Sequence, residues 1–557
     1  MMDEDLDDVS ADCSGRIGME HDFATAGSSC GHHGLAADEE DETDDDGANG
    51  LVAENGIVAE NGLVADEEDE RDGGGPNGFV ADSDDVDDVE LQPSGLADLF
   101  VDDSDSNSDF QSEGDLEMAP SIVEGAPRAN DLTFSFTWAK RLFMVVKGIF
   151  GEDLILQRLC THTRLISSHF SGLGTAELAI NMLLPACDRV MRSKLLLRPA
   201  FACDISSGCR AVLQERLNGA CVHKDLWDRF PGFDIGSHIH GGTLDYDSAC
   251  KAIMSRCDNL ARGAPCVTHM ASCTCRHIDG EVAGSPCIAW SRASTTRQGR
   301  KHPVTGLLLA WCAWVLFSRP RVAIHENVVG FDTNILEEVL GVHYFIQHIR
   351  AAPSHMGFPF ICRPRTYSVL ILRTALRRSS LQCPLGIQEA YERIVAAMNY
   401  QAVDSVDWLW RASDTQLLEE ENRVRAKRGL APLSRHTIDW TYLLTPKQRE
   451  RLAHHVQVSR GTIWDLTQSV RFATHSSKKV PTLRRGSTRL WSQAKKRWLL
   501  RIELRAAMGY PVFQDLADVA NVPRESAEMM GPVFATGNAM HVANVGCITL
   551  LGWLYVD

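Results

Sequence analysis

The sequence predicts an α/β fold built on a mostly parallel sheet, and three observations carry that expectation. Short apolar runs alternate with stretches of helical apolar spacing, in units that recur about every thirty residues. The runs end in small or polar residues, as in LISSHFSGLG, AFACDIS and VAIHENV. Gly or Pro then turns the chain at the points where strand must give way to helix, as at Gly172, Gly174 and Pro286.

Length and charge set the frame. The 557 residues leave room for a large domain with additions, and the net charge of −20 averages two unlike parts. Residues 1–130 hold 39 of the 75 acidic residues and 3 of the 55 basic ones, a net of −36, which leaves +16 on the remainder. A basic body joined to an acidic tail is a balance found in proteins that meet nucleic acid. The opening MMDEDLDDVS lacks the apolar core of a secretory signal, so the seventeen cysteines are expected to be mostly free thiols in a reducing, intracellular compartment. The longest apolar stretch, Gly306 to Phe317, is shorter than the roughly 18–20 residues of a membrane span, so no membrane partner is expected.

Taken in order, residues 1–130 read as a disordered acidic tail. It contains a hexapeptide repeat, NGLVAE from Asn49, NGIVAE from Asn55 and NGLVAD from Asn61, with NGFVAD from Asn77 set apart. A helical lead-in is expected over 131–164. Next come a strand ending in the Gly-x-Gly turn, a helix from Thr175, a strand ending at Asp204, a helix, and a third strand ending near Asp225. Phe230 to Gly280 reads as irregular and rich in Cys and His. The turn GSPCIAWS follows, then the apolar helix GLLLAWCAWVLF, the strand VAIHENV, the helix NILEEVL, the segment HYFIQHIRAA, and YSVLILR after an arginine pair. Residues 374–500 read as a separate helical region with basic clusters, and 501–557 return to apolar chain.

Several of these residues have the types and positions that chemistry needs. Gly172 and Gly174 would let the backbone approach a ligand and aim a helix N-terminus at it. Asp204 stands where strand ends bind a ribose, and the missing third glycine allows a nucleoside without phosphates. Pro286 stiffens the turn that holds Cys287, and a thiol held this way can serve as a nucleophile where it is partly exposed beside positive charge. Glu326, in HENV, and Arg363 and Arg365, in RPR, fall at the ends of other expected strands.

In this order the residues resemble the DNA (cytosine-5)-methyltransferase family over about Leu165 to Gly552. FSGLG is similar to the family's cofactor loop, Asp204 to its ribose-binding acid, and Asp225 in KDL to the acid that contacts adenine. GSPCIAWS resembles the nucleophile loop, HENV the catalytic glutamate loop and RPRTYSVLI the arginine motif. ELRAAMGYP and GNAMHVANVG resemble the two closing motifs. The resemblance implies a Rossmann-like class I methyltransferase domain with a mixed, mostly parallel sheet, formed by 131–373 and 501–557, with target recognition in 374–500.

It also implies methyl transfer from S-adenosylmethionine to C5 of cytosine in DNA, with the base flipped out of the duplex. Cys287 would attack C6, Glu326 would protonate N3, and Arg365 with Arg363 would hold the base carbonyl and position Glu326. Phe170, Gly172, Gly174, Asp204, Asp225 and Asn538 would contact the cofactor, and Asn327 would hold its own loop. Ile288 and Ile361 stand where the family commonly has Gln.

The same chemistry on RNA, and a catalytically weak DNA-binding protein that keeps the fold, are the other readings. A DNA substrate implies the nucleus, with RVRAKRG from Arg423 as a basic import segment. Trp408, Trp410, Trp464, Trp491 and Trp498 read equally as a phosphate-gripping surface or as core. The acidic tail is expected to contact the basic body. The cluster Cys257, Cys266, His269, Cys273, Cys275 and His277 lacks a paired C-x2-C spacing, so free thiols on an irregular loop, and no metal, are expected.

Overall fold

Five parallel strands form the centre of a nine-stranded sheet, with an antiparallel pair added at each edge. The structure is a computed structural model. It describes residues 131–557 apart from 275–276, 293, 295–296, 377–384, 399, 401–404, 459–460, 471–477, 485, 488 and 527. The acidic tail, its repeats and Cys275 lie outside the described residues.

In chain order the strands are β1 (Arg164–His169), β2 (Leu197–Cys203), β3 (Cys221–His223), β4 (Ile239–His240), β5 (Thr243–Leu244), β6 (Gly263–Cys266) and β7 (Ala271–Thr274). They continue as β8 (Gly280–Ala283), β9 (Val322–Val328), β10 (Tyr344–Ala351), β11 (Arg365–Leu372), β12 (Ile463–Asp465), β13 (Leu490–Ser492) and β14 (Arg497–Trp498). The large sheet runs β10-β11-β9-β8-β1-β2-β3-β6-β7. The chain builds outward from β1 through β2 to β3, then returns to lay β8 on the other flank of β1. The strand order therefore reverses between β1 and β8, where the carboxyl ends of an α/β sheet open a crevice.

Central parallel strands are covered on both faces and so read as continuous apolar runs. The apolar VAI opens β9 in this way, and the strand runs on through His325, Glu326 and Asn327, whose polar side chains are buried. The helix Thr305–Ser318, apolar on every side, lies within the core with Trp311 and Trp314 buried. The helix Val542–Leu554 is buried along its whole length and packs on the helices Trp138–Phe150 and Thr175–Met191. A side chain on Gly546 would collide with the Trp138 ring, so glycine is required there. Removing the buried Trp138 indole would cost about 3–5 kcal/mol. The lead-in helix Glu152–Leu159 grips the chain end through Arg158, which bonds the Val556 carbonyl and pairs with Asp557 at 2.6 Å.

One expectation changes, and one open alternative closes. The stretch from Phe230 to Gly280 is not irregular throughout: it holds the β4–β5 ribbon, the helix Tyr246–Met254 and the β6–β7 pair that extends the main sheet. Four-residue edge strands containing Gly, Pro and Cys carry no apolar alternation, which hid them. The tryptophans of the basic region are also core. Trp464, Trp491 and Trp498 join Trp440 and several leucines in a separate small cluster around β12–β14, while Trp408 and Trp410 pack on the main core.

Candidate active site

The turn Gly284 to Ser291 leaves β8 and closes on itself, the Cys287 carbonyl accepting the N–H groups of Trp290 (3.0 Å) and Ser291 (2.9 Å). Its entry is tied to β9. Ser285 Oγ lies 2.8 Å from His325 Nε2, and Asn327 Nδ2 donates to Ser285 O (3.2 Å) and Oγ (3.1 Å). Burial pushes His325 down to about 3, so it stays neutral and fixes the serine by hydrogen bonding alone. Cys287 is partly exposed, and the adjoining Ile288 is 44% exposed.

Glu326, buried on the same strand, has Arg365 Nε 3.1 Å from its Oε1. The N–H is not well aligned, so Oε1 has no formal hydrogen bond. Burial raises the Glu326 pKa, with Arg365 and Arg363 opposing it. Burial likewise raises the Cys287 thiol, against the pull of Arg365 and Arg363 and with a further push from Glu326. The charges of all three groups thus act on the thiol. Arg363 holds the loop: its Nη1 donates to Leu483 O (3.0 Å) and its Nη2 to Ala539 O (2.6 Å), joining the arginine motif to the segment after Asn538.

Ile361, 1% exposed, needs no polar partner, because the backbone on either side of it pairs with Val480 (2.9 and 2.8 Å). Arg363 and this pairing fix the loop where a side-chain amide was expected to do so.

Beside this group, at the β1–β8 reversal, lies a cleft. Phe170, Gly172, Glu177, Gly284, Asn538 and Met540 are among the residues that line it. Phe170 (φ 53°) and Gly172 (φ 54°) both adopt left-handed backbone, and a Cβ on Gly172 would meet only open space. Phe170 is the costly one, since bulky residues rarely hold this conformation away from functional loops.

The other expected cofactor residues shape the wall. Asp204 accepts the Gly172 N–H (2.7 Å) and the Ser206 N–H (2.9 Å), and Asp225 accepts the Trp227 N–H (3.0 Å). Burial raises the pKa of both acids. At Gly174 a Cβ would lie 2.7 Å from the Arg216 side chain, so its smallness serves packing. Tyr510 OH lies 2.6 Å from Thr175 Oγ1 and anchors the helix that begins there.

Glu177 was not singled out from the sequence. It is buried, Ser168 Oγ bonds its Oε1, and its Oε2 has no hydrogen-bond partner. Only the position of the carboxylate in the folded cleft distinguishes it from any acid in a helix.

Cys266, His269 and Cys273 come together with Cys221, which the sequence reading had left out, and Cys257 and His277 are not part of the group.

No protein-family model matches the sequence, and a search of curated proteins finds no match. Solved structures do match. The Schizosaccharomyces pombe Dnmt2 methyltransferase aligns at 13% identity and TM-score 0.35, and the Entamoeba histolytica methyltransferase EhMeth at 10% and 0.38, each over 70% of this chain and 98% of the other. A Spodoptera frugiperda DNMT2 variant aligns at 13% and 0.32, over 70% and 99%. At such values the chemistry has to be argued from this chain's own residues.

Proposed function

We propose that the chain transfers a methyl group to C5 of cytosine in DNA, with Cys287 as the covalent nucleophile. The observation that supports this most is the convergence of Cys287, Glu326 and Arg365 from β8, β9 and β11, neighbouring elements of one sheet. Addition of a thiolate to C6 of cytosine sends charge into the ring, and a proton given to N3 relieves it. Burial lets Glu326 keep such a proton. Arg365 holds the Glu326 carboxyl in place, and its guanidinium offers charge-assisted hydrogen bonds to the base carbonyl. C5, now enamine-like, would take the methyl group; its proton then passes to solvent water and the N3 proton returns to Glu326 as sulfur departs from C6, restoring the ring double bond and the thiolate. A stacked base cannot present its face to Cys287, so the nucleotide must be flipped out. Exposed Ile288 is an apolar side chain of the kind that wedges into the gap.

S-adenosylmethionine bound in the cleft would supply the electrophilic methyl group. The residues fit it: Glu177 Oε2 is an unpartnered acid oxygen suited to a ligand carrying sulfonium and ammonium charge. Phe170, Gly172 and Asn538 would line the ligand, with Asp204 and Asp225 at the ends of β2 and β3.

Label from methyl-tritiated cofactor should enter duplex DNA and vanish in Cys287→Ser. Label entering tRNA and not DNA would replace the DNA reading by the RNA one. A folded, cofactor-binding protein that labels neither would be a binding protein. The −36 tail would compete with DNA for the +16 body, so removing residues 1–125 should tighten DNA binding and alter its salt slope. Unchanged binding would dismiss that contact. No helix among the described residues is long and apolar enough to cross a membrane.

A further inference from the structure

We propose that Cys221, Cys266, His269 and Cys273 bind a structural zinc ion that clamps the β6–β7 pair to β3. Their four ligand atoms all lie within 4.8 Å of one another. His269 Nδ1 is 3.6 Å from Cys221 Sγ, 3.4 Å from Cys266 Sγ and 3.4 Å from Cys273 Sγ. Tetrahedral zinc with ordinary Zn–S and Zn–N lengths sets sulfur about 3.5 Å from the imidazole nitrogen. The geometry is thus that of four ligands around one centre. Three thiols and an imidazole are a soft set that selects zinc over magnesium or calcium. On binding, the thiols release their protons to solvent and His269 ligates as the neutral ring.

The local fold explains why a clamp belongs here. Three of the ligands lie in or beside the turn of one hairpin, in the order Cys266, His269, Cys273, and Cys221 comes from the neighbouring strand. The ladder joining β3 to β6 has a single register pair, His223 with Cys266, extended by the bond from Val267 N to Val222 O (2.8 Å). Apolar support is thin: Val267 packs on a small cluster, while Met270 at the turn is 87% exposed. Four protein ligands leave no open position, so the ion is structural and not catalytic. It would hold the sheet edge two residues before Asp225, which follows β3.

The test begins with metal analysis of the untagged full-length protein purified without chelator. One zinc per chain is expected, lost in Cys221→Ser and in Cys273→Ser and kept in Cys257→Ser. Should the cysteine variants fail to fold, cobalt exchanged into the unaltered protein gives an independent reading. It should show the intense visible bands of tetrahedral cobalt and thiolate-to-metal charge transfer. A strong chelator should also lower the melting temperature of the unaltered protein. A folded protein that holds neither zinc nor cobalt overturns the assignment. Full zinc content in Cys221→Ser overturns it as well, as does loss of zinc in Cys257→Ser alone.

Discussion

Arg365 reaches Glu326 diagonally across the antiparallel pair β9–β11. Glu326 faces Tyr367 in the register and Arg365 faces Val328, yet Arg365 Nε is 3.1 Å from Glu326 Oε1. Residues two apart on facing strands share a face and can touch in this way. The ion pair therefore sits at the strand ends, beside the turn that carries Cys287. A buried pair of this type loses about 3–5 kcal/mol when one partner is removed, because the other charge is left alone.

In the proposed addition step Glu326 is protonated and Cys287 ionised. The form with an ionised thiol and a protonated acid is most populated between the two groups' pKa values, so activity should follow a bell in pH. Burial raises both pKa values and so moves the bell toward alkaline pH. In Glu326→Gln the amide cannot lose its donor, so kcat should fall roughly 10²–10⁴-fold and the alkaline limb should disappear. A pH–rate profile of the variant decides it; an alkaline limb of unchanged position would contradict the role.

Glu177→Gln should weaken cofactor binding, measured by calorimetry, by about tenfold or more, the equivalent of one charge-assisted hydrogen bond. Burial raises the Glu177 pKa, so the carboxylate forms only as pH climbs through that value. Affinity for a cationic ligand should accordingly tighten with rising pH in the parent protein and be flat in the variant. Equal affinities would remove Glu177 from the site.

Gly284→Ala would place a Cβ 2.8 Å from Met540 Cε and 3.3 Å from Glu326 Oε2. The methionine can yield, but it lines the cleft, and the glutamate is held by Arg365. The variant should lose at least about tenfold in kcat and weaken cofactor binding, a change of about 1.4 kcal/mol or more in each. Its melting temperature should move little. Wild-type kinetics would show that the turn has slack.

Ile361→Gln would restore the polar residue that the family resemblance led one to expect. The structure gives it nothing to bond, since the neighbouring backbone already pairs with Val480 and Arg363 with Leu483 and Ala539. The buried amide should cost about 1–3 kcal/mol of stability in a denaturant titration, with no gain in activity. A stabilised or faster variant would refute this account of the loop.

What the sequence made legible was local. The VAI that opens β9, the helix from Thr175 and the helix Thr305–Ser318 declared themselves by continuous or periodic apolar residues that the folded core uses. Cys287, Glu326 and Arg365 stand out as candidates through their motifs, and the sheet brings them together. What it hid depended on contacts between distant segments. Cys221 lies on β3, far in sequence from the hairpin cysteines, so a spacing search confined to 257–277 could not include it. The partner of Ile361 is the Val480 backbone, and backbone pairing leaves no side-chain signature. Glu177 became notable only when its oxygen was found buried and unbonded. Tryptophans among arginines read equally as surface or core because composition does not report burial; in the fold, Trp491 and Trp498 are core.

The central claim is covalent attack by Cys287, and trapping measures it directly. Duplex DNA carrying 5-fluorocytosine blocks release, because fluorine at C5 cannot leave as a proton does. Incubated with S-adenosylmethionine and the full-length protein, it should give a denaturation-resistant protein–DNA adduct whose linkage maps to Cys287 and which Cys287→Ser abolishes. No adduct from the folded, cofactor-bound parent protein, or an adduct that survives Cys287→Ser, would contradict the account.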